Sequence, residues 1–272
     1  MTIPGRSDNS CAWTDVQNAG LSWREAGSGT PVIFLHGLGG ARMAWGPQLR
    51  ALADQFRCIA WDMPGYGHAE PIRPLTYEVI AQRVVDLIDT IETERADLVG
   101  LSFGGMHALH TAINFPDRVG KMVLASTSPA FGMDGTTKEQ WTADRLAALA
   151  NGGTPADGAE RILDFIAGTP LTGQIREEAI ECFRNISPDG FRGSVECLPT
   201  NDVREQLADI AHESLVIVGE LDEETPPSYA KVLHNGLSNS RLELLQGVGH
   251  LTNAEAPEQF NTLVRNFLEE SS

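Results

Sequence analysis

The stretch Val99-Gly100-Leu101-Ser102-Phe103-Gly104-Gly105 constrains this chain more than any other. It reads Gly-x-Ser-x-Gly. Leu98 and Val99 suit the end of a buried strand, and residues 106–113 suit a helix, so the chain must turn sharply between them. Gly100, Gly104 and Gly105 leave room for close backbone approach. A serine at the tip of such a turn is forced outward, with its hydroxyl above the sheet and the first N–H groups of the helix aimed at the same spot. Gly-x-Ser-x-Gly alone is a common string; in a strand–turn–helix context it reads as a nucleophile elbow.

The rest of the chain supplies that context. Residues 11–16 and 21–25 look like two strands joined through Asn18-Ala19-Gly20, a hairpin signal. Residues 31–35 form a continuous apolar strand, fit for a sheet covered on both faces. A helix is expected over 44–54, a strand over 57–61, and a helix capped by Thr76 that runs to about residue 90, with Ile80, Val84, Leu87 and Ile88 at helical spacing. Residues 119–125 read as another strand. From 126 to about 197 the strands vanish, and helical segments around 139–150, 156–167 and 174–185 are broken by Gly and Pro. Strand and helix then alternate again: strand 214–219, helix 226–235, strand 241–245 and helix 257–268. The expected fold class is α/β, a mostly parallel central sheet flanked by helices. Residues 1–128 and 198–272 would form the core, with a helical lid inserted over 129–197.

Composition limits the partners. The chain of 272 residues carries a formal charge of −17, which argues against nucleic acid and anionic membranes. It has no apolar run near the length of a membrane span, and residues 1–9 do not resemble a signal peptide. Cys11, Cys58, Cys182 and Cys197 are scattered without metal-ligand spacing. With no export signal they read as reduced thiols of a cytoplasmic protein. The expected partner is a small-molecule substrate; a homo-oligomer is compatible with the sequence, and neither a metal nor another cofactor is expected.

Serine needs a base to take its proton and a third group to orient that base. His250, in Gly247-Val248-Gly249-His250-Leu251, follows the last expected strand, and loops at the carboxyl ends of parallel strands are where such sites assemble. His36 suits a hydrogen-bonding role in its own loop. His107 and His110, on the helix after the elbow, suit structural roles, and His68, His212 and His234 suit loops or the surface. The orienting acid should follow another strand end. Val218-Gly219-Glu220-Leu221-Asp222 provides Asp222, with Glu220 as its nearest rival. The order Ser102, Asp222, His250 is that of α/β-hydrolases. An oxyanion hole needs two preset donors. Phe103 N–H follows the nucleophile, and Leu38 N–H lies in the loop His36-Gly37-Leu38-Gly39-Gly40. That loop lacks both the spacing and the lysine of a phosphate-binding loop.

These landmarks, with Asp62-Met63-Pro64-Gly65-Tyr66-Gly67 between them, make the chain resemble the α/β-hydrolase family over nearly its whole length. Within that family it is most similar to 3-oxoadipate enol-lactonases. The likeness rests on residues 141–145, on Ser187-Pro188-Asp189-Gly190-Phe191, on Asn201-Asp202-Val203-Arg204 and on the run from His250 to Pro257. Residues between about 152 and 178 depart from that pattern. The resemblance implies cofactor-free hydrolysis of a small ester or lactone, the lactone bearing a carboxylate. In so acidic a chain that carboxylate needs a local cation. Arg42 follows the expected oxyanion loop, and Arg145 stands one helical turn after Trp141, which would supply an apolar wall. Two alternatives remain open: a carbon–carbon bond hydrolase of the meta-cleavage or β-diketone type, and a ligand receptor on the same fold with little turnover.

Overall fold

A computed structural model describes residues 12–270 of the chain. Cys11, expected to open the first strand, lies outside the described residues. Strand β1 (Thr14–Asn18) pairs antiparallel with β2 (Leu21–Ala26). Ala19 and Gly20, at φ 50° and 75°, make the two-residue turn between them, as the right-handed twist of a hairpin demands. Then follow β3 (Thr30–Leu35), α1 (Gly46–Leu52), β4 (Phe56–Asp62), α2 (Tyr77–Thr90), β5 (Ala96–Leu101), α3 (Phe103–Asn114) and β6 (Val119–Ala125). The Thr76 hydroxyl accepts the Val79 N–H at 3.3 Å and caps α2 as its position predicts.

After a helical insertion come β7 (Ser214–Gly219), α8 (Pro227–Gly236), β8 (Ser240–Leu245), the short α9 (Thr252–Glu255) and α10 (Pro257–Glu269). Among the described residues eight strands form one sheet in the order β1-β2-β4-β3-β5-β6-β7-β8. All pairings from β4 to β8 are parallel. Side chains alternate across the central strands. Ile33 and Leu35 of β3 enter the apolar cluster on one face, while Val32 and Phe34 enter the cluster on the other. Both faces are covered, which is why β3 and β7 are continuous apolar runs rather than alternating ones.

The insertion between β6 and β7 holds α4 (Lys138–Leu146), α5 (Ala159–Ile166), α6 (Gly173–Arg184) and α7 (Pro188–Cys197). Helices α4 and α5 are shorter than their sequence patterns suggest, because residues 147–152 and 155–158 wind as 3₁₀ turns, whereas α6 has the expected length. Helix α7 is one that periodicity misses. Gly190 and Gly193 lower its helix propensity, yet Ser187 caps it by accepting the Gly190 N–H at 3.0 Å, and Pro188 opens its first turn. The two ends of the insertion meet: Phe131 donates to the Asn201 carbonyl at 2.9 Å and Val203 to that of Pro129 at 2.8 Å, around an antiparallel bridge between Ala130 and Asp202. Cys58 is buried in the core. Cys182 and Cys197 are buried thiols whose pKa burial pushes up to about 12. Among the described residues no helix is long and apolar enough to cross a membrane.

Candidate active site

Ser102 sits between β5 and α3 with φ 54° and ψ −117°, a backbone conformation that side chains other than glycine rarely adopt. The neighbours make it obligatory. A Cβ on Gly104 would lie 1.9 Å from the Leu35 carbonyl oxygen, so only glycine lets α3 press against the end of β3. The Ser102 N–H donates to Ala125 at 2.8 Å, and the Thr127 hydroxyl donates to the Ser102 carbonyl at 2.6 Å, tying the turn to the end of β6. The serine side chain lines a cavity of about 850 Å³ between the carboxyl end of the sheet and the inserted helices.

His250 lines the same cavity. Its Nδ1 stands 3.0 Å from both carboxylate oxygens of Asp222. The aspartate is anchored in turn by the Thr225 N–H at 2.8 Å, the Glu224 N–H at 3.0 Å and the Thr225 hydroxyl at 2.9 Å. Burial works to raise the Asp222 pKa, but the His250 ring and the Thr225 donors outweigh it and hold the carboxyl below its usual range. For His250 the balance is mirrored. Burial works against the charged ring, and Asp222, helped by Glu224 and Glu255, overcomes it and raises the pKa. Thr225 escaped the sequence reading, although Asp-x-x-Thr is a recognisable turn in which the aspartate caps the N–H groups that follow it. Glu220 faces elsewhere and accepts the Gly247 N–H at 3.0 Å.

Of the two expected oxyanion donors, Phe103 adjoins the serine in sequence and Leu38 shares its cavity. Phe103 is the first residue of α3, so its N–H has no acceptor within the helix. Its ring is buried behind the elbow, 4.2 Å from the His107 ring. Leu38 lines the cavity, and its loop runs beside the serine: a Cβ on Gly37 would lie 3.3 Å from Ser102 Cβ. The Tyr66 hydroxyl donates to the Leu38 carbonyl at 2.9 Å. His36 Nε2 accepts the Met63 N–H at 3.1 Å, which leaves the proton on Nδ1 to reach the Gly37 carbonyl at 2.9 Å. Burial lowers the His36 pKa, so the ring stays neutral and holds the loop. His107 is buried among Phe103, Trp61 and Tyr77, with its pKa pushed well down by burial. His110 stacks on Tyr77 at 3.9 Å and meets Asn201 at 3.0 Å, next to the stem of the insertion.

The three expected substrate contacts divide. Trp141 and Arg145 line the cavity, with the guanidinium 5.3 Å above the indole ring and 3.8 Å from Glu224. Arg42 does not serve the cavity, and here the expectation is corrected. Its guanidinium is turned into the sheet edge, paired with Asp62 and 3.4 Å from Asp15. Its N–H donates to the same Asp62 carboxylate at 2.9 Å. Asp62 ends β4 with a fully buried side chain, and a buried carboxylate takes the nearest cation. The other charged groups of the cavity lining are mainly acidic: Asp134, Asp144, Glu178 and Glu223 stand there with Glu224, against Arg145 and Arg161. Leu38, Met106, Phe131, Ile162 and Phe183 form much of its apolar wall. Among the described residues no three His, Cys, Asp or Glu side chains converge as metal ligands would.

Comparison with known proteins agrees with this architecture. Residues 32–263 match the profile of the alpha/beta hydrolase family. The chain is 26% identical over 247 residues to 3-oxoadipate enol-lactonase 1 of Acinetobacter baylyi, covering 87% of this chain and 88% of that protein. It is 30% identical over 255 residues to 2-hydroxymuconate semialdehyde hydrolase of a Pseudomonas species, covering 91% and 89%. The crystal structure of the enol-lactonase from Burkholderia xenovorans superposes with a TM-score of 0.82 at 25% identity, covering 94% of this chain and all of that one. A match of that extent, on a sheet with this strand order, makes the chain a member of the alpha/beta hydrolase family.

Proposed function

We propose that the chain is a serine hydrolase that cleaves a small carboxylic ester or lactone through an acyl-enzyme, without a cofactor. The observation that carries this reading is the double contact of His250 Nδ1 with Asp222 at a cavity that Ser102 also lines. With Nδ1 engaged, the neutral ring presents Nε2 as the base. Ser102 gives its proton to Nε2 and attacks the carbonyl carbon. The Leu38 and Phe103 N–H groups donate hydrogen bonds to the developing oxyanion. Collapse expels the alcohol or enol oxygen, which takes the proton from His250. Water then gives a proton to Nε2 and attacks the acyl carbon, and Ser102 recovers its hydrogen as the acid leaves. In an enol lactone the expelled oxygen stays tethered to the acyl group, and the enol becomes a ketone.

The insertion, residues 129–197, acts in this reading as a cap that supplies the substrate contacts. Trp141 gives an apolar wall and Arg145 the partner for a substrate carboxylate. The enol-lactonase names of two similar proteins support a lactone. The similarity to 2-hydroxymuconate semialdehyde hydrolase favours a second reading, hydrolysis of a carbon–carbon bond. A substrate panel separates them: a carboxylate-bearing enol lactone, its methyl ester, p-nitrophenyl esters and a meta-cleavage-type diketone. Turnover is expected to be fastest on the lactone or the esters, with a fluorophosphonate labelling Ser102 alone. Preference for the diketone establishes the second reading. Tight binding with no turnover of any member replaces both with a receptor.

A further inference from the structure

The loop that carries His250 is held from two sides, by Glu255 and by the segment that follows α5. Glu255, at the end of α9, accepts the Gly249 N–H at 2.8 Å through one oxygen and the Leu251 N–H at 2.9 Å through the other. These are the residues immediately before and after His250. The oxygen that serves Gly249 also accepts the Thr169 N–H at 2.8 Å, from the segment that follows α5 in the insertion. That segment returns the contact. The His250 N–H donates to the Ile166 carbonyl at 3.0 Å, and the Thr169 hydroxyl donates to the Gly247 carbonyl at 3.0 Å. Between these bonds the two backbones touch: a Cβ on Gly249 would lie 2.1 Å from Gly168 N, and a Cβ on Gly168 would lie 2.7 Å from Gly249 N.

We infer that Glu255 is a positioning residue, and that with residues 166–169 it clamps the His250 loop so that the seating of the inserted helices and the placement of the base are a single event. The inference rests on the reading of His250 as the general base. A loop with glycines at 247 and 249 has wide backbone freedom of its own. Three N–H groups on one carboxylate are charge-assisted bonds and remove much of that freedom. The Asp222 contact orients the ring, and Glu220 and the Leu221 N–H hold the main chain at Gly247 and Val248; the clamp does the complementary job at residues 249–251. Because one of the three N–H groups belongs to the insertion, any movement of α5 away from the core breaks a bond on the carboxylate that flanks the base. Catalysis then depends on a seated insertion, whatever substrate fills the cavity.

The charged groups that act on His250 are Asp222 and Glu224, on the segment after β7, and Glu255 on α9, with Arg145 of α4 paired to Glu224. The clamp therefore has a readout that plain loop support lacks. Wild type, Glu255→Gln, Glu255→Asp and Gly168→Ala are compared on p-nitrophenyl acetate for kcat, KM and pH profile, with fluorophosphonate labelling rates and thermal melts. E255Q is expected to lower kcat by roughly 10–10²-fold, the scale of a base misplaced by about 1 Å, with a smaller change in KM. Its labelling rate falls in parallel. Its acid limb moves to lower pH, because a negative charge that favours the protonated ring is gone. E255D keeps the charge, holds the limb at the wild-type position and recovers part of kcat. G168A keeps every hydrogen-bonding group but wedges the insertion off the loop; it lowers kcat and the labelling rate with the limb closer to wild type than in E255Q. Wild-type kcat and labelling rate in folded E255Q overturn the inference, as they do in folded G168A, which serves if E255Q does not fold. Label on a serine other than Ser102 in the wild type overturns the reading of the triad instead, so the two failures are distinct.

Discussion

Arg42 and Arg145 stand in two parts of the molecule that hold side chains in different ways. Arg42 belongs to the sheet and its flanks, where β7 buries all six of its residues and Asp62 is covered completely. Its side chain is 10% exposed and its guanidinium is committed to that carboxylate. Arg145 belongs to α4, which buries none of its residues, and its side chain is 38% exposed beside Glu224. Two arginines of equal charge thus do different work. In the core a charge exists to neutralise another that cannot leave. In the inserted helices the Arg145 charge stays partly exposed beside Glu224 at the cavity. Within the insertion the same contrast recurs, since α7 buries Phe191, Val195 and Cys197 against the core whereas α4, which faces the cavity through Trp141 and Arg145, buries no residue fully.

That contrast can be broken by substitution, and the largest effects are expected where the core meets the cavity. Ser102→Ala should lose at least roughly 10³-fold in kcat while the melting temperature changes little. Near-wild-type turnover in the folded variant removes the catalytic assignment entirely. Asp222→Asn should cost a similar factor because it disturbs the His250 tautomer, and Glu220→Gln should cost little because Glu220 serves Gly247. A greater kcat loss in E220Q than in D222N reverses the assignment of the acid.

Arg42→Ala tests the core directly. Stranding the buried Asp62 carboxylate should destabilise the fold by roughly 3–5 kcal/mol in urea unfolding, with no preference between acidic and neutral substrates. Wild-type stability in that variant would mean that the buried pair is not what holds this edge of the sheet. Arg145→Ala should do the opposite. Stability should barely move, and kcat/KM for a carboxylate-bearing lactone should fall by roughly 1.5–3 kcal/mol more than for its methyl ester. Equal losses on both substrates leave Arg145 as a surface charge and the acidic lining of the cavity as the feature that selects neutral substrates.

The same division explains what the sequence made legible. The strands could be read because burial on both faces requires unbroken apolar runs, and 31–35 and 214–219 have them. The Asp222–His250 contact could be anticipated because each residue follows a strand end at one edge of a parallel sheet. The fate of Arg42 could not. It depends on the burial of Asp62, which becomes visible only when β4 is packed beside β2 and β3. Helix α7 was hidden by its two glycines, although Ser187 and Pro188 carried the signal of a helix start. The Glu255 contacts combine a local part, readable in principle from its spacing to His250, with the Thr169 N–H, which only the folded insertion brings near.

The stem at Ala130 and Asp202 has an evolutionary reading. Because the chain pairs with itself at Ala130 and Asp202, outside the strands of the sheet, the segment between can be exchanged as a cassette without altering the register of any strand. Recombination at such a point gives a lineage new pockets on an unchanged catalytic frame. The Thr169 contact sets the condition on the exchange: a transplanted cassette must offer Glu255 an N–H in the same place. A graft that satisfies the stem alone would yield a folded protein with a loosely held base.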